Sequence, residues 1–299
     1  MAVCAAANDS VMRLSRRDRV ILFAPAAVLL TGWLILPAVL GLLASLTDYS
    51  PFAQAVHLSG LTNYAAVLSD HLFTAAVRNV AVLTMVAVPL ELAIGFGLAY
   101  LLRGPIWGRG LWRVLLLLPW LVSPIASGVM WHFLLGPTRG ILNFALGWIG
   151  RPELASPTGD IRLALPTTIA VEIWRVAPLV TFLLLPGFAS IPGERWEDAT
   201  LSGASWMRTA LDVVVPALRP LLLAITMLLI GLSLGTFDAV LILTGGGPGT
   251  STVTPALYSY NQAFGANNWP LGAASAWLIA AGVLGAGLVY VGLARSRAS

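Results

Sequence analysis

The chain has no lysine; all 17 of its basic side chains are arginine. That excludes a nucleotide-phosphate loop of the Walker type, which needs a lysine, and it excludes a lysine Schiff base. Cysteine is almost absent as well. Cys4 has no second thiol with which to form an internal disulfide. His57, His71 and His132 are scattered without metal-ligand spacing, so no metal site is expected. Charge is scarce: 10% of the 299 residues are charged, against about 25% in soluble domains. What fills the space is apolar, at 58% of residues, with a mean hydropathy of +0.85. Most of this mass belongs in a bilayer, and the fold class is an all-α integral membrane protein. The sequence pI of 9.7 would point to nucleic acid in a soluble protein. Here the arginines collect in loops, so they read as orientation signals, and no nucleic-acid partner is expected.

Six apolar stretches are long enough to cross: 20–46, 75–102, 114–135, 163–189, 221–243 and 271–293. Residues 1–19 are polar and basic, and the run after them is too long for a signal-peptide core. The expected organisation is a tail, 1–19, followed by one membrane domain, 20–295. Between the third and fourth spans, Ile141 to Ile149 reads as a short interfacial helix. An even number of spans puts both termini on one side. That side holds Arg13, Arg16, Arg17, Arg19, Arg103, Arg109, Arg113, Arg195, Arg208, Arg219, Arg295 and Arg297, which is 12 of the arginines. The other side holds Arg78, Arg139, Arg151 and Arg162, which is 4, and Arg175 lies within a span. The imbalance predicts that both termini are cytoplasmic. No repeat of 20 to 50 residues and no low-complexity linker interrupts the chain.

Between the fourth and fifth spans lies a polar island, 192–220, reading PGERWEDATLSGASWMRTALDVVVPALRP. It carries Glu194, Glu197, Asp198 and Asp212 with Arg195, Arg208 and Arg219, too polar to span yet patterned like helix. Pro192-Gly193 followed by Glu194 suits a helix start, where a carboxylate meets the positive end of the dipole. Gly203 interrupts, helix resumes from Ala204, and Pro216 marks a further boundary. The expected form is helix, glycine turn, helix, lying flat at the cytoplasmic face. This could be an ordinary amphipathic linker or a surface built to dock a soluble partner.

The spacing Glu197-Asp198-Ala199, three residues, Gly203, nine residues, Val213, one residue, Val215-Pro216 resembles the EAA loop of ABC-importer permeases. Asp198 departs from the usual alanine, and Ser202 stands where sugar permeases often carry aspartate. Further segments extend the resemblance to the binding-protein-dependent sugar permeases, of the type related to the maltose and glycerol-3-phosphate importer subunits. These are the Leu61-Thr62-Asn63-Tyr64 segment; Arg113 with Leu118-Pro119-Trp120, Ser123, Gly128, Met130-Trp131 and Asn143; Trp174 with Pro178; and Phe237-Asp238 with the run LTGGGP, Leu243 to Pro248.

The resemblance implies a six-helix permease of the ABC importer type I fold with cytoplasmic coupling helices, in the inner membrane of a prokaryote. It implies four kinds of partner: a second homologous permease chain, two ATPase subunits, an extracellular solute-binding protein and the lipid bilayer. The chain would be a transport subunit and not an enzyme. It would bind no cofactor itself, with ATP and Mg held by the ATPases. Glu197, Asp198, Ala199, Gly203 and Pro216 would form the ATPase-coupling site. No residue is expected to be catalytic.

An unpaired charge at mid-bilayer costs on the order of 2.5–3.5 kcal/mol or more, so charges inside spans are functional candidates. Glu172 and Arg175, at i and i+3, either pair with each other or leave one group facing a solute. Glu91 is expected to hydrogen-bond a neighbouring helix, and His132 to be structural. Sugars bind through aromatic faces and polar groups, which makes Trp120, Ser123, Trp131, Asn143, Glu172, Trp174, Arg175 and Asp238, with Thr181, candidate pathway residues. The tryptophans could equally be interfacial or packing residues. The alternative function is an ion-gradient-driven secondary transporter, for which Glu91 and Glu172 could serve; the absent repeat and the island count against it. A membrane-embedded transferase would want clustered acids or histidines with metal spacing at one membrane face; the one acid cluster is the island, whose carboxylates are interleaved with tryptophan, alanine and glycine as in a docking helix.

Overall fold

The computed structural model describes residues 23–25, 27–50, 55–104, 107–137, 140–148 and 156–296. The expected tail 1–19 with Cys4, and Arg139 and Arg151, lie outside the described residues. Among the described residues the chain is helical, and its one isolated bridge pairs Thr47 with Leu58. Five helices are long and apolar enough to cross a membrane: α1, Phe23–Ser45; α3, His71–Leu102; α7, Ala164–Ala189; α9, Trp206–Leu234; and α12, Trp269–Ser296. Shorter elements join them: α2, Thr62–Ser69; α4, Arg109–Leu121; α5, Pro124–Leu134; α6, Ile141–Trp148; α8, Gly193–Leu201; α10, Asp238–Leu243; and α11, Pro255–Tyr260.

The centre is a three-helix stack. Helices α3 and α7 run parallel: Leu83 and Ala87 pack on Ile169, Gly95 abuts Val180, and Tyr100 meets Phe188. Helix α9 runs the other way. Leu218 and Leu221 sit against Gly187, while Ser233 near its far end bonds Thr84 through the two hydroxyls, 3.0 Å apart. Small residues let these backbones approach, the usual substitute for a hydrophobic driving force within lipid. At Gly95 the fit is tight enough that a Cβ would lie 2.5 Å from the Val180 side chain.

The end of the molecule away from the island is tied by hydrogen bonds. Asp70 caps α3 by accepting from Leu72 N–H and also accepts from the Tyr258 hydroxyl at 2.7 Å. Burial, and then Asp70 itself, push that hydroxyl above its ordinary range. The Asn79 amide donates to the carbonyls of Thr250 and Val253, and Thr254 Oγ1 donates to Thr236 O. These bonds pin the glycine-rich loop, where Gly245 and Gly246 adopt the positive φ expected of them. Helix α1 stands largely outside this core, touching it through Gly41 beside Trp277 and Ser45 bonded to Tyr64.

Two expected spans are broken. The stretch 114–135 is two helices, α4 and α5, bent by 92°. The cause is local: Ser123 precedes Pro124, which forces an extended backbone, and Ser123 then caps α5 by accepting from Ala126 N–H. The stretch 221–243 is likewise interrupted. Helix α9 ends at Leu234, residues 235–237 turn, and α10 follows. The short helix expected at 141–149 is present as α6.

Gly95→Val is expected to lower the thermal stability of the purified protein by about 1–3 kcal/mol, the cost of overpacking. Gly97→Ala, where no neighbouring atom lies within 4 Å of the added carbon, is expected to leave the melting temperature nearly unchanged.

Candidate functional site

Two places gather the chemistry-bearing residues. The first is the island. Helix α8 begins after Pro192 with Glu194 in its first turn, as the sequence predicts. It ends in a paired turn: Ala204 N–H donates to Ala199 O and Gly203 N–H to Thr200 O. This closure requires a left-handed residue, and Gly203 supplies it at φ +67°. Open space surrounds the missing Gly203 side chain, so backbone conformation, not crowding, accounts for glycine here. Ser205 caps the next helix by accepting from Arg208 N–H.

Beyond the turn the structure departs from expectation. A boundary does fall at Pro216, which sits in the first turn of the α-helical stretch that starts at Val215, but the second half of the island is not a separate flat helix. Trp206 begins α9, which continues into the membrane as one helix through a widened turn, 210–214, where Val215 N–H reaches back five residues to Ala210 O. The widened turn sits just before Pro216, whose ring nitrogen has no proton to donate. The glycine turn is therefore joined directly to a span.

On one side of α8, Glu197 lines a cleft of about 600 Å³ with Tyr100, Arg103, Trp196 and Trp206. The Arg103 guanidinium lies 3.7 Å from the centroid of the Trp196 ring and 4.5 Å from that of Tyr100. Such cation–π contacts stabilise by about 0.5–2 kcal/mol. Phe188 stacks on Trp196 at 6.5 Å, and Phe96 lies 5.3 Å from Phe188. This aromatic joint holds α8 against the ends of α3 and α7. On the other side of α8, Asp198, Ala199 and Pro216 line a second cleft with Arg195 and Asp212. The Arg208–Asp212 ion pair, at 3.3 Å, is exposed and contributes little. Sequence reasoning missed Tyr100 and Arg103, because nothing in their own segment marks them.

The second place is a cavity of about 460 Å³ between the two helix breaks and α7. It brings together Trp120, Ser123, Glu172, Arg175 and Asp238, five of the candidate pathway residues. Glu172 and Arg175 are paired, with Arg175 Nη2 donating to Oε1 at 2.7 Å and Nε to Oε2 at 3.4 Å. Their side chains are 4% and 11% exposed. The guanidinium also faces Trp120, 5.4 Å from the ring centroid. Glu91 is buried on α3 and does not line the cavity. Asp238 opens α10.

The remaining candidates lie elsewhere. Trp131 and Trp174 pack edge to face at 5.4 Å. Asn143 is buried and donates to Pro137 O. Thr181 bonds the Ala177 carbonyl one turn back, and His132 contacts Leu243 O at 3.0 Å, a structural role. Ser127 Oγ and Trp131 Nε1, one turn apart on α5, are buried without hydrogen-bond partners. Thr236 and Leu232 also line the cavity and carried no sequence signal, since the break in 221–243 was not legible.

A family model described as "Binding-protein-dependent transport system inner membrane component" matches residues 91–296, more than half of the chain. The chain belongs to this family. The permease is 33% identical over 243 residues to "Probable ABC transporter permease protein y4oQ" of Sinorhizobium fredii, covering 80% of this chain and 78% of the relative. It is 29% identical over 276 residues to "Trehalose/maltose transport system permease protein MalF" of Thermococcus litoralis, covering 91% and 92%. Its fold matches a chain in the crystal structure of a bacterial ABC transporter involved in the import of the acidic polysaccharide alginate. That match has a TM-score of 0.81 at 19% identity and covers 94% of this chain and 96% of the other. The protein is thus a multi-pass permease subunit of an ABC importer, and nothing in these comparisons supports an ion-gradient-driven transporter.

Glu172→Ala strips the buried Arg175 of its partner. It is expected to cost about 3–5 kcal/mol, read as a lowered melting temperature and poor accumulation. Glu172→Met with Arg175→Met is expected to recover most of that loss.

Proposed function

We propose that this permease forms half of the translocation pathway for a sugar or related solute, and that a cytoplasmic ATPase drives it through residues 192–220. The observation that carries this reading is the join between the Gly203 turn and α9. An exposed helix bearing Glu197 and Asp198 is connected, through the four-residue turn 202–205, to a helix that runs on to the cavity wall at Leu232. A push on α8 therefore reaches the cavity through covalent and packed contacts. Ala199 anchors the docking helix from beneath, being its buried residue, and Pro216 sits where the helix enters the membrane.

Trp120, Ser123, Glu172, Arg175 and Asp238 line the solute route. Trp131, Trp174 and Asn143 lie outside the cavity lining. Broken helices around such a cavity are the usual setting for a transport site, because backbone freed from helix bonding is tolerated in lipid only where protein or water satisfies it. The sugar assignment draws on the relatives, whose names include a trehalose/maltose permease. The arginine imbalance supports cytoplasmic termini and a cytoplasmic island. The working assembly in the inner membrane comprises this chain, a second homologous permease, two ATPase subunits that hold ATP and Mg, and an external binding protein. The chain itself carries out no bond chemistry and needs no cofactor.

Gly203→Asp is expected to insert normally, yet to abolish ATP-driven uptake while hydrolysis by the ATPase persists. Uptake at the parental rate in membrane vesicles would refute the coupling role. Glu197→Lys is expected to weaken co-purification of the ATPase by roughly tenfold, a charge reversal at a docking surface; undiminished recovery removes Glu197 from that surface.

A further inference from the structure

We infer that the cavity selects uncharged polyhydroxyl solutes and rejects anionic ones such as uronates, sulfonates and phosphate esters; this rests on the cavity being the solute route. An anionic solute needs a free cation, and the cavity's cation is Arg175. Its guanidinium is already engaged through two nitrogens by Glu172, which is 3% exposed as a residue. Transferring Arg175 to a solute anion would leave Glu172 charged and buried without a partner. Abandoning one member of a buried ion pair is among the more expensive single changes in a protein.

The rest of the wall points the same way. Asp238 adds a carboxylate that forms no salt bridge among the described residues, so the lining holds two acidic side chains against one basic one. The amino end of α5 contributes a partial positive charge, but Ser123 already occupies one of its N–H groups and Asp238 lies in the same cavity. For a neutral sugar the inventory fits. The Trp120 ring offers an apolar face, Asp238 accepts hydrogen bonds from hydroxyls, and the hydroxyls of Ser123 and Thr236 add short polar contacts. The Glu172–Arg175 pair then fixes one wall without being consumed.

The test measures the electrical sign of the cavity in the assembled importer. Cys4→Ser removes the native thiol, and Ser123→Cys places a thiol in the cavity wall. Modification rates are compared for a trimethylammonium-ethyl and a sulfonatoethyl methanethiosulfonate, each normalised to its rate with 2-mercaptoethanol. The cationic reagent is expected to react roughly fivefold faster, the scale of one net unit charge several ångströms away in a hydrated site. Asp238→Asn in the same background should shrink that preference. Thr236→Cys on a second wall gives an independent reading should Ser123→Cys fail to assemble. Equal or faster reaction of the anionic reagent overturns the selectivity while leaving the cavity on a water-filled route. No reaction with either reagent during turnover, with the thiol still titratable after denaturation, overturns the route itself and the inference with it.

Discussion

Inside a bilayer every backbone N–H and C=O must be satisfied by protein or by enclosed water. This permease breaks two apolar stretches, one at Val122–Ser123 and one at Gly235–Phe237, just past the end of α9. Neither break faces lipid alone. The two confront each other across one cavity and are closed off by α7. Their freed groups are met by side chains: Ser123 accepts from Ala126 N–H, and Thr254 donates to the carbonyl of Thr236. Close packing of α5 on α10 keeps the breaks together, since a Cβ at Gly128 would lie 3.0 Å from Ile242 Cβ. The cavity exists because the irregular backbone has to be enclosed.

The same constraint links the cavity to the island. Helices α3 and α7 run parallel from one to the other, pressed together at Gly95 and at the aromatic joint of Phe96, Tyr100, Phe188 and Trp196. Helix α9 runs back alongside them from the glycine turn. Interfaces packed this closely move as discrete bodies and do not deform smoothly. In the proposed coupling, a displacement of α8 is carried along three helices at once. Arg103, lying over Trp196, ties the loop after α3 into the same body.

Much of this was legible in the residues. Scarce charge and long apolar runs fixed the class, and four of six expected spans match helices to within a few residues. The Gly203 turn was visible because a left-handed helix ending needs glycine, and its spacing from Glu197 and Pro216 is a local pattern. The Glu172–Arg175 pair was visible because i and i+3 share a helix face. The breaks in 114–135 and 221–243 were not. Hydropathy averages over a bend, and proline inside a membrane helix is as often tolerated as disruptive. Pro89 and Pro178 lie within unbroken helices, while Pro124 begins a new one.

The sequence by itself determined that the chain lives in the membrane, which side its arginines favour, where the polar island turns, and which charges lie within its spans. These follow from composition and from short-range geometry, within a turn or two of helix. Only the tertiary structure decided that Trp120, Ser123, Glu172, Arg175 and Asp238 share one cavity while Trp131, Trp174 and Asn143 do not. It alone decided that α9 carries the island directly into a span, and that Arg103 belongs with Trp196. Those relations join residues dozens of positions apart, and the angle of a break and the packing of one helix on another set them. No local pattern records either.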